Sequence, residues 1–216
     1  MIQYTPLGDS AITVALGEGI SRSLSADVLR VAEGLRAASL RGVTEIVAAY
    51  ATLGVFYDPL RVNFDQLRDQ LRPIVEQSRD SQTTASNSPA RMIRIPVWYN
   101  GEDLAEVAER TEHTVDEVIE LHSAREYHVY VIGFVPGFAY LGEIDPSLIL
   151  PRRSTPRKRV PAGSVGIAEA QTGVYPFETP GGWNLIGRTD TKMFDAERAE
   201  PALLKVGDRV VFERRS

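Results

Sequence analysis

Alternating and helical patterns of apolar residues predict the elements of the first third of the chain. Residues 10–16 alternate between polar and apolar as a half-buried strand does, and two further β-rich runs span 43–50 and 52–57. Apolar residues recur at helical spacing over 24–38 and again over 64–74. The resulting order, ββαββα, predicts a sheet covered on one face by two helices.

The last 126 residues, from 91 onward, follow a different pattern. Residues 91–98 alternate like a strand, and two short helices are predicted, over 104–110 and from the capping box at Thr114 to His122. From Tyr127 onward, short apolar runs alternate with loops rich in Gly and Pro. This spacing is typical of a small β-barrel or sandwich.

Between these two parts, residues 78–90 (S-R-D-S-Q-T-T-A-S-N-S-P-A) are polar and contain almost no large apolar side chain. Such a composition is typical of a solvated connector. The sequence therefore predicts an α+β protein with a two-layer α/β domain over 1–77, a linker over 78–90 and a β-rich domain over 91–216.

The composition of the chain argues against thiol chemistry, membrane insertion and nucleic-acid binding. The chain has no cysteine, which excludes disulfides and thiolate chemistry and fits a reducing compartment, so we expect a cytoplasmic protein. It has no basic-then-apolar leader and no apolar run near eighteen residues, which predicts no membrane insertion. A formal net charge of −5 argues against nucleic-acid binding.

The Gly/Pro-rich loops between residues 127 and 194 carry most of the candidate chemistry. Aromatic and cationic side chains accompany these loops, which suits a concave site for a small anionic or planar molecule. The segment 151–159 holds four arginines and a lysine with no acid among them. These cations either receive a carboxylate or phosphate, or are solvated and paired with acids elsewhere, and the sequence favours neither alternative.

Three single features have weaker signals. Ser164 lies one residue short of a G-x-S-x-G nucleophile elbow and precedes a predicted strand, so we expect a hydrogen-bonding or turn residue. His122, at a helix end before a strand, is the better candidate for proton transfer, although such a histidine is more often structural. The three histidines lack the spacing of metal ligands.

Thr179–Trp183 could expose backbone N–H groups to an oxyanion or form a tight turn over a buried indole.

Five motifs, taken together, resemble those of one family. They are P-L-G-D-S-A at 6–11, G-F-V-P-G-F-A-Y-L-G at 133–142, P-R-x-x-x-P-R-x-x-V-P-A-G-S-V-G-I-A at 151–168, Q-T-G-V-Y-P at 171–176 and P-G-G-W-N-L-I-G-R-T at 180–189. The chain resembles the group of 5-oxoprolinase B subunits, also called allophanate hydrolase subunit 1-like or Kip-inhibitor-like proteins. The resemblance implies a small two-layer α/β domain followed by a cyclophilin-like β-barrel.

The same resemblance implies a function. Members of the family work beside a C subunit (allophanate hydrolase subunit 2-like) and an A subunit, and together they open 5-oxoproline to glutamate with ATP hydrolysis. We therefore expect one component of an ATP-dependent amidohydrolase that is inactive alone. The complex uses ATP, but the sequence does not locate the nucleotide site in this chain. We expect no metal. Two alternatives stay open: an inhibitor of a sensor histidine kinase, and a carboxyltransferase-like subunit of a urea carboxylase. Biotin attachment is not expected, because no A/V-M-K-M motif occurs.

Residue chemistry at the motif positions suggests the site. Opening a lactam requires cations and N–H donors around developing oxyanions. The expected catalytic residues are His122, Arg157 and Arg188. The expected substrate-binding residues, for a small anionic substrate, are Arg152, Phe138, Ser164, Gln171, Tyr175, Gly181, Gly182 and Trp183.

Overall fold

A computed structural model describes residues 2–80 and 90–215 of the chain. They form two compact units, Met1–Pro89 and Ala90–Ser216. The predicted linker begins inside a helix, because residues 78–80 continue the second helix of the first unit, and its residues 81–89 lie outside the described part of the chain.

In the described part of the first unit, residues 2–80, a four-stranded antiparallel sheet accompanies two helices. The elements of this unit are β1 (Gln3–Pro6), β2 (Ala11–Ala15), α1 (Arg22–Ala38), β3 (Val43–Ala49), β4 (Thr52–Tyr57) and α2 (Phe64–Asp80). The strand order is β1-β2-β4-β3. Ile12 and Val14 on β2 pair with Val55 and Leu53 on β4, and all four side chains are buried. Both helices bury an apolar stripe, so the predicted two-layer arrangement is confirmed.

Over residues 90–215, the second unit contains nine strands, two helices and one 3₁₀ turn over Pro146–Leu148. They are β5 (Met92–Val97), α3 (Leu104–Arg110), α4 (Val115–Ser123), β6 (Glu126–Ile132), β7 (Ala139–Gly142), β8 (Arg157–Val160), β9 (Ser164–Ala168), β10 (Gln171–Val174), β11 (Thr179–Gly181), β12 (Asn184–Arg188) and β13 (Arg209–Arg214). Seven strands form one sheet in the order β12-β9-β10-β7-β6-β13-β5, while β8 and β11 form a separate two-stranded ribbon.

The seven-stranded sheet closes on itself into a barrel. Its outer strands are β12 and β5, and residue Trp98, directly after β5, pairs with Arg188 on β12. Only β13 and β5 run parallel; the other neighbouring strands are antiparallel. Closure removes the exposed sheet edges that would otherwise pair with other chains. The predicted β-barrel is confirmed.

Side-chain alternation separates two apolar clusters in this barrel. On β9, Val165 and Ile167 join the large core cluster, whereas Ala168 joins a second, smaller cluster. Leu141 on β7 likewise faces the large core, while the neighbouring Tyr140 packs against the second cluster. Because strand side chains alternate between faces, the second cluster lies on the outer face of the barrel wall.

Candidate functional site

Phe138 is the centre of an aromatic cluster on this outer face. Its ring centroid lies 5.7 Å from that of Phe134, 4.9 Å from Tyr140, 5.3 Å from Tyr175 and 5.4 Å from Trp183. All four pairs are edge-to-face, the arrangement that the ring quadrupoles favour. Phe138 is buried, whereas Phe134 is 60% exposed, so the cluster runs from the barrel wall to solvent.

Glycines in the underlying strands make room for these rings. A Cβ at Gly173 on β10 would lie 3.2 Å from Phe138 and 3.3 Å from Trp183, and one at Gly166 on β9 would lie 3.1 Å from the Trp183 Cβ. A Cβ at Gly181 would clash with the Tyr175 hydroxyl. The glycine density of this region therefore serves close packing of aromatic side chains on the strands.

A cavity of about 220 Å³ opens between this cluster and the β8–β11 ribbon. Its walls are mostly aromatic, proline and glycine residues, and Arg152 is the charged residue among them. Lining the cavity are Phe134, Phe138, Tyr140, Arg152, Pro156, Tyr175, Pro180, Gly181, Gly182 and Trp183. The structure thus brings together the predicted residues Arg152, Phe138, Tyr175, Gly181, Gly182 and Trp183.

Tyr175 lines the cavity as a neutral phenol. Burial raises the pKa of Tyr175, and a hydrogen bond from the Trp183 backbone opposes that rise. The phenol is therefore uncharged near neutral pH and acts as a wall and a hydrogen-bonding group. Trp183, only 4% exposed, presents part of its indole to the cavity.

Arg157 is not a free anion clamp, which corrects one sequence expectation. Its Nη2 donates to Asp103 Oδ1 at 2.6 Å, and its Nε lies 2.9 Å from Glu102 Oε1. Arg153, next to Arg152, donates to the same Asp103 oxygen at 2.8 Å and to Glu106 at 3.0 Å. Two guanidiniums of the basic segment are thus neutralised by acids of the second unit.

Arg188 and Ser164 line a different cavity, of about 350 Å³, together with Asn100, Glu102 and Asp190. Arg188 donates to Asp190 at 3.2 Å, and both side chains are exposed. The structure therefore does not bring Arg188 or Ser164 to the aromatic cavity. We correct the expectation that all predicted guanidiniums share one cavity.

Gln171 begins β10 and pairs with Ala168 and Gly142 in the barrel wall. It is half-buried and does not line the aromatic cavity. Its position in the sheet fits a structural role better than the expected contact with substrate.

His122 lies in the barrel core, which corrects the role expected for it. The side chain is 0% exposed, and its ring stacks on Phe212 at 4.7 Å. Its Nε2 lies 2.9 Å from Thr172 Oγ1 and its Nδ1 lies 2.8 Å from Tyr99 Oη. Burial lowers the pKa of His122 to about 3. A neutral, enclosed imidazole with both nitrogens bonded packs the core and cannot reach a substrate in the cavity.

One residue of this region was missed in the sequence. Asp103 precedes helix α3, where an acid normally caps the helix, but it makes no side-chain cap. Its carboxylate instead binds Arg153, Arg157 and the Leu185 backbone. The available signal was the run of arginines at 151–159 with no acid among them, which needed acidic partners from elsewhere in the chain.

Two further findings bear on the kind of site. Within residues 2–80 and 90–215, no group of three or more His, Cys, Asp or Glu side chains could hold a metal ion. Over the same residues, no helix is long and apolar enough to cross a membrane.

Comparison with known proteins agrees with this architecture. Residues 2–204, which include the small α/β unit and most of the barrel, match the family described as carboxyltransferase domain, subdomain C and D. The chain is also 40% identical to the 5-oxoprolinase B subunit of Bacillus subtilis (strain 168), over 98% of this chain and 92% of that protein. The chain therefore belongs to the carboxyltransferase C and D family, in the group of 5-oxoprolinase B subunits, and the resemblance found in its motifs is confirmed.

Solved structures show the same fold. The crystal structure of TTHA0988 matches with a TM-score of 0.83 and 38% identity, covering 100% of this chain and 41% of that one. The chain thus spans about two fifths of the length of TTHA0988. The Kluyveromyces lactis urea carboxylase matches with a TM-score of 0.80, 17% identity, and coverage of 100% of this chain and 22% of that one. At that identity the likeness concerns the fold alone.

Proposed function

We propose that this chain is the B subunit of a cytoplasmic, ATP-dependent 5-oxoprolinase that opens 5-oxoproline to glutamate together with its A and C subunits. The observation that carries the proposal is the aromatic cavity with Arg152, in a chain 40% identical to a protein named as a 5-oxoprolinase B subunit. The proposal assigns 5-oxoproline to this cavity.

The cavity suits the chemistry of 5-oxoproline. The molecule is a small lactam ring that carries one carboxylate. Aromatic walls pack the ring, and the Arg152 guanidinium pairs with the carboxylate. The cavity of about 220 Å³ is smaller than the ~300–1,000 Å³ typical of drug-sized ligands, which favours a ligand of this size.

The charge around the cavity also fits one carboxylate. Arg153 and Arg157 are paired with acids, whereas among the residues that the structure describes no carboxylate lies within ion-pair distance of Arg152. A ligand carboxylate would therefore compete with water, and not with an internal ion pair, for this guanidinium.

The chain's own residues would bind and orient the lactam. An amide carbonyl is a poor electrophile, so its oxygen needs activation before water attacks, and ATP supplies that activation in the complex. The sequence has no G-x-x-x-x-G-K-[ST] phosphate loop, so we assign the nucleotide to the assembled subunits. This chain alone is then inactive.

The test is reconstitution with the A and C subunits, followed by measurement of ATP hydrolysis and glutamate release that depend on 5-oxoproline. We expect Arg152→Ala to raise the KM for 5-oxoproline by roughly tenfold or more, because a charged contact is lost. The matched control is Arg159→Ala, whose side chain is 82% exposed and pairs with Glu178 at 3.6 Å, and we expect no change in KM. An active complex in which both variants behave like wild type would place the substrate elsewhere.

The family description supports one alternative function, carboxyl transfer. A complex that shows no turnover of 5-oxoproline, but transfers the carboxyl group of carboxybiotin to urea, would replace the first proposal by the second. Since the chain has no biotin attachment motif, a partner would carry the biotin.

A further inference from the structure

Asp103 is a buried carboxylate with three tertiary hydrogen bonds. The residue is 3% exposed. Its Oδ1 accepts from Arg153 Nη1 at 2.8 Å and from Arg157 Nη2 at 2.6 Å, and its Oδ2 accepts from the Leu185 backbone N–H at 2.6 Å. The Asp103 backbone N–H also donates to the Leu185 carbonyl at 2.9 Å. Hydrogen bonds between a buried carboxylate and a guanidinium are stronger than those between neutral groups. Asp103 therefore holds Arg153, Arg157 and the Leu185 backbone in fixed positions.

The groups that Asp103 holds do not line the aromatic cavity themselves, but each is close in sequence to, or paired with, a residue that does. Arg153 follows Arg152 directly, and its backbone N–H donates to the Gly182 carbonyl at 2.7 Å. Arg157 pairs with Gly181 across the β8–β11 ribbon. Leu185 lies two residues after Trp183 on the strand that leaves the cavity. Through these contacts, the Asp103 carboxylate connects the segment that contains Arg152 with the segments that contain Gly181, Gly182 and Trp183.

Asp103 also sets the charge at the cavity. It contacts both Arg153 and Arg157, whereas of these two arginines the more exposed Glu106 contacts only Arg153 and Glu102 only Arg157, so the charge balance rests mainly on Asp103. The hydrogen bond from Arg153 to Glu106 lowers the pKa of that carboxyl, as expected for a paired acid. Arg152 remains as the guanidinium that lines the cavity.

We propose that Asp103 is a positioning residue for the cavity: by holding Arg153, Arg157 and the Leu185 backbone it fixes Arg152 opposite Trp183. This inference rests on the proposed function for its substrate, but its geometric content concerns the chain alone. Asp103 does not line the cavity and acts through Arg152.

The first experiment uses Asp103→Asn in the reconstituted complex. The amide keeps the shape of the side chain and loses the charge that holds two guanidiniums. We expect the KM for 5-oxoproline to rise roughly tenfold with a smaller change in kcat, because substrate binding loses its oriented arginine. In the double variant with Arg152→Ala, we expect KM no higher than in Arg152→Ala alone, since Asp103 acts through that residue. An additive double variant, or an unchanged KM in Asp103→Asn, would overturn the proposal.

Two further variants separate positioning from general stability. Glu106→Gln removes the more exposed acidic partner of Arg153, and we expect it to leave KM unchanged. Arg153→Gln removes one of the two guanidiniums while Asp103 keeps Arg157 and Leu185. If Asp103→Asn does not fold, Arg153→Gln takes its place, with the same non-additive result expected with Arg152→Ala. Additivity there would overturn the proposal equally.

A measurement without substrate keeps the inference separate from the proposed function. NMR signals of the Arg152 Nε–H and the Trp183 indole N–H report the surroundings of these two residues in the chain alone. We expect both to shift in Asp103→Asn and neither to shift in Glu106→Gln. A wild-type complex without 5-oxoproline turnover would refute the proposed function. The positioning role of Asp103 would still be tested by the two NMR signals, and it would be refuted if neither signal shifted in Asp103→Asn.

Discussion

The backbones of Trp98 and Arg188 exchange two hydrogen bonds of 2.9 Å each, and the Arg188 guanidinium lies 5.9 Å from the centre of the Trp98 indole. These bonds join the two outer strands of the seven-stranded sheet, so this pair is the seam at which the barrel closes. The Arg215 guanidinium also lies 5.6 Å from the same indole. Arg188 therefore contributes to closure through its backbone and through a cation–π contact.

Gly187 provides a test of the seam. A Cβ at this position would lie 2.7 Å from the Trp98 carbonyl oxygen and 2.8 Å from the Val97 Cγ1. We expect Gly187→Ala to lower the free energy of unfolding by about 1–3 kcal/mol, because the strands must move apart at the seam. Denaturant titration measures the loss, and the control is Gly133→Ala, where an added Cβ would meet no atom within 4 Å. Equal stability of the two variants would show that the seam tolerates the methyl group.

Neighbouring glycines at the cavity form a second matched pair. A Cβ at Gly181 would clash with the Tyr175 hydroxyl and lie 2.8 Å from its Cε1, whereas at Gly182 the nearest atoms are 3.7 Å away. We expect Gly181→Ala to displace Tyr175 and to weaken 5-oxoproline binding by roughly tenfold or more, and Gly182→Ala to have a much smaller effect. Calorimetric titration of each variant gives the comparison. Similar affinities of the two variants would show that the position of Tyr175 does not affect binding of 5-oxoproline.

Phe134 and Phe138 allow stability to be separated from binding. Phe138 is buried against four rings, so we expect Phe138→Ala to cost about 3–5 kcal/mol of unfolding free energy. Phe134 is 60% exposed, so we expect removal of its ring to cost the fold little. If Phe134 covers a bound ring at the cavity rim, Phe134→Ala lowers affinity for 5-oxoproline while the denaturation midpoint hardly changes. Unchanged affinity would contradict that role.

Local signals in the sequence predicted local structure well. The capping box at Thr114 is present, since the Glu117 N–H donates to the Thr114 hydroxyl at 3.2 Å and the Glu117 carboxylate accepts from the Thr114 N–H at 2.7 Å. The strand predicted directly after Ser164 is β9, which begins at Ser164 itself. The ribbon of β8 and β11 was not predicted, because R-K-R-V is charged and T-P-G is short and contains a proline.

Long-range pairing accounts for what could not be predicted at the site. The residues that line the cavity lie in four neighbouring motifs, so sequence patterns placed them in one region, and their binding role stays a prediction. The Asp103 pairs with Arg153 and Arg157 join residues 50 and 54 positions apart, and no local pattern reports such a contact. His122 had the right chemistry for proton transfer, but burial is a property of the packed barrel and has no signature at a helix end.

His122 lies in the middle of a buried hydrogen-bond chain, between Tyr99 and Thr172, that fixes its tautomer. Thr172 Oγ1 donates its proton to the Gly166 carbonyl at 3.0 Å, so it must accept from His122 Nε2–H. Nδ1 then accepts from the Tyr99 hydroxyl. The groups around the ring, Tyr99 and Tyr127 among them, offer no negative charge near neutral pH, since burial raises the pKa of both phenols. Protonated imidazole is therefore disfavoured in the folded barrel.

The stability of the barrel is accordingly expected to fall in acid through His122. Its pKa is about 3 in the folded state against an ordinary value of 6.5, so below pH 6.5 the unfolded chain binds the proton first. The barrel stability contributed by the neutral ring is complete above pH 6.5 and is lost progressively as the pH falls toward 3. Between pH 6.5 and 4 we expect a loss of about 3 kcal/mol.

Denaturant unfolding at several pH values, for wild type and for His122→Gln, isolates this contribution. The variant has no ionisable group at the site, so its unfolding free energy should decline less on acidification. His113→Gln is the control, because His113 lies at the surface with its Nε2 3.0 Å from the Ser147 hydroxyl. Parallel acid profiles for wild type and His122→Gln would mean that the imidazole is protonated in the folded state. His122 would then again be a candidate for proton transfer near neutral pH.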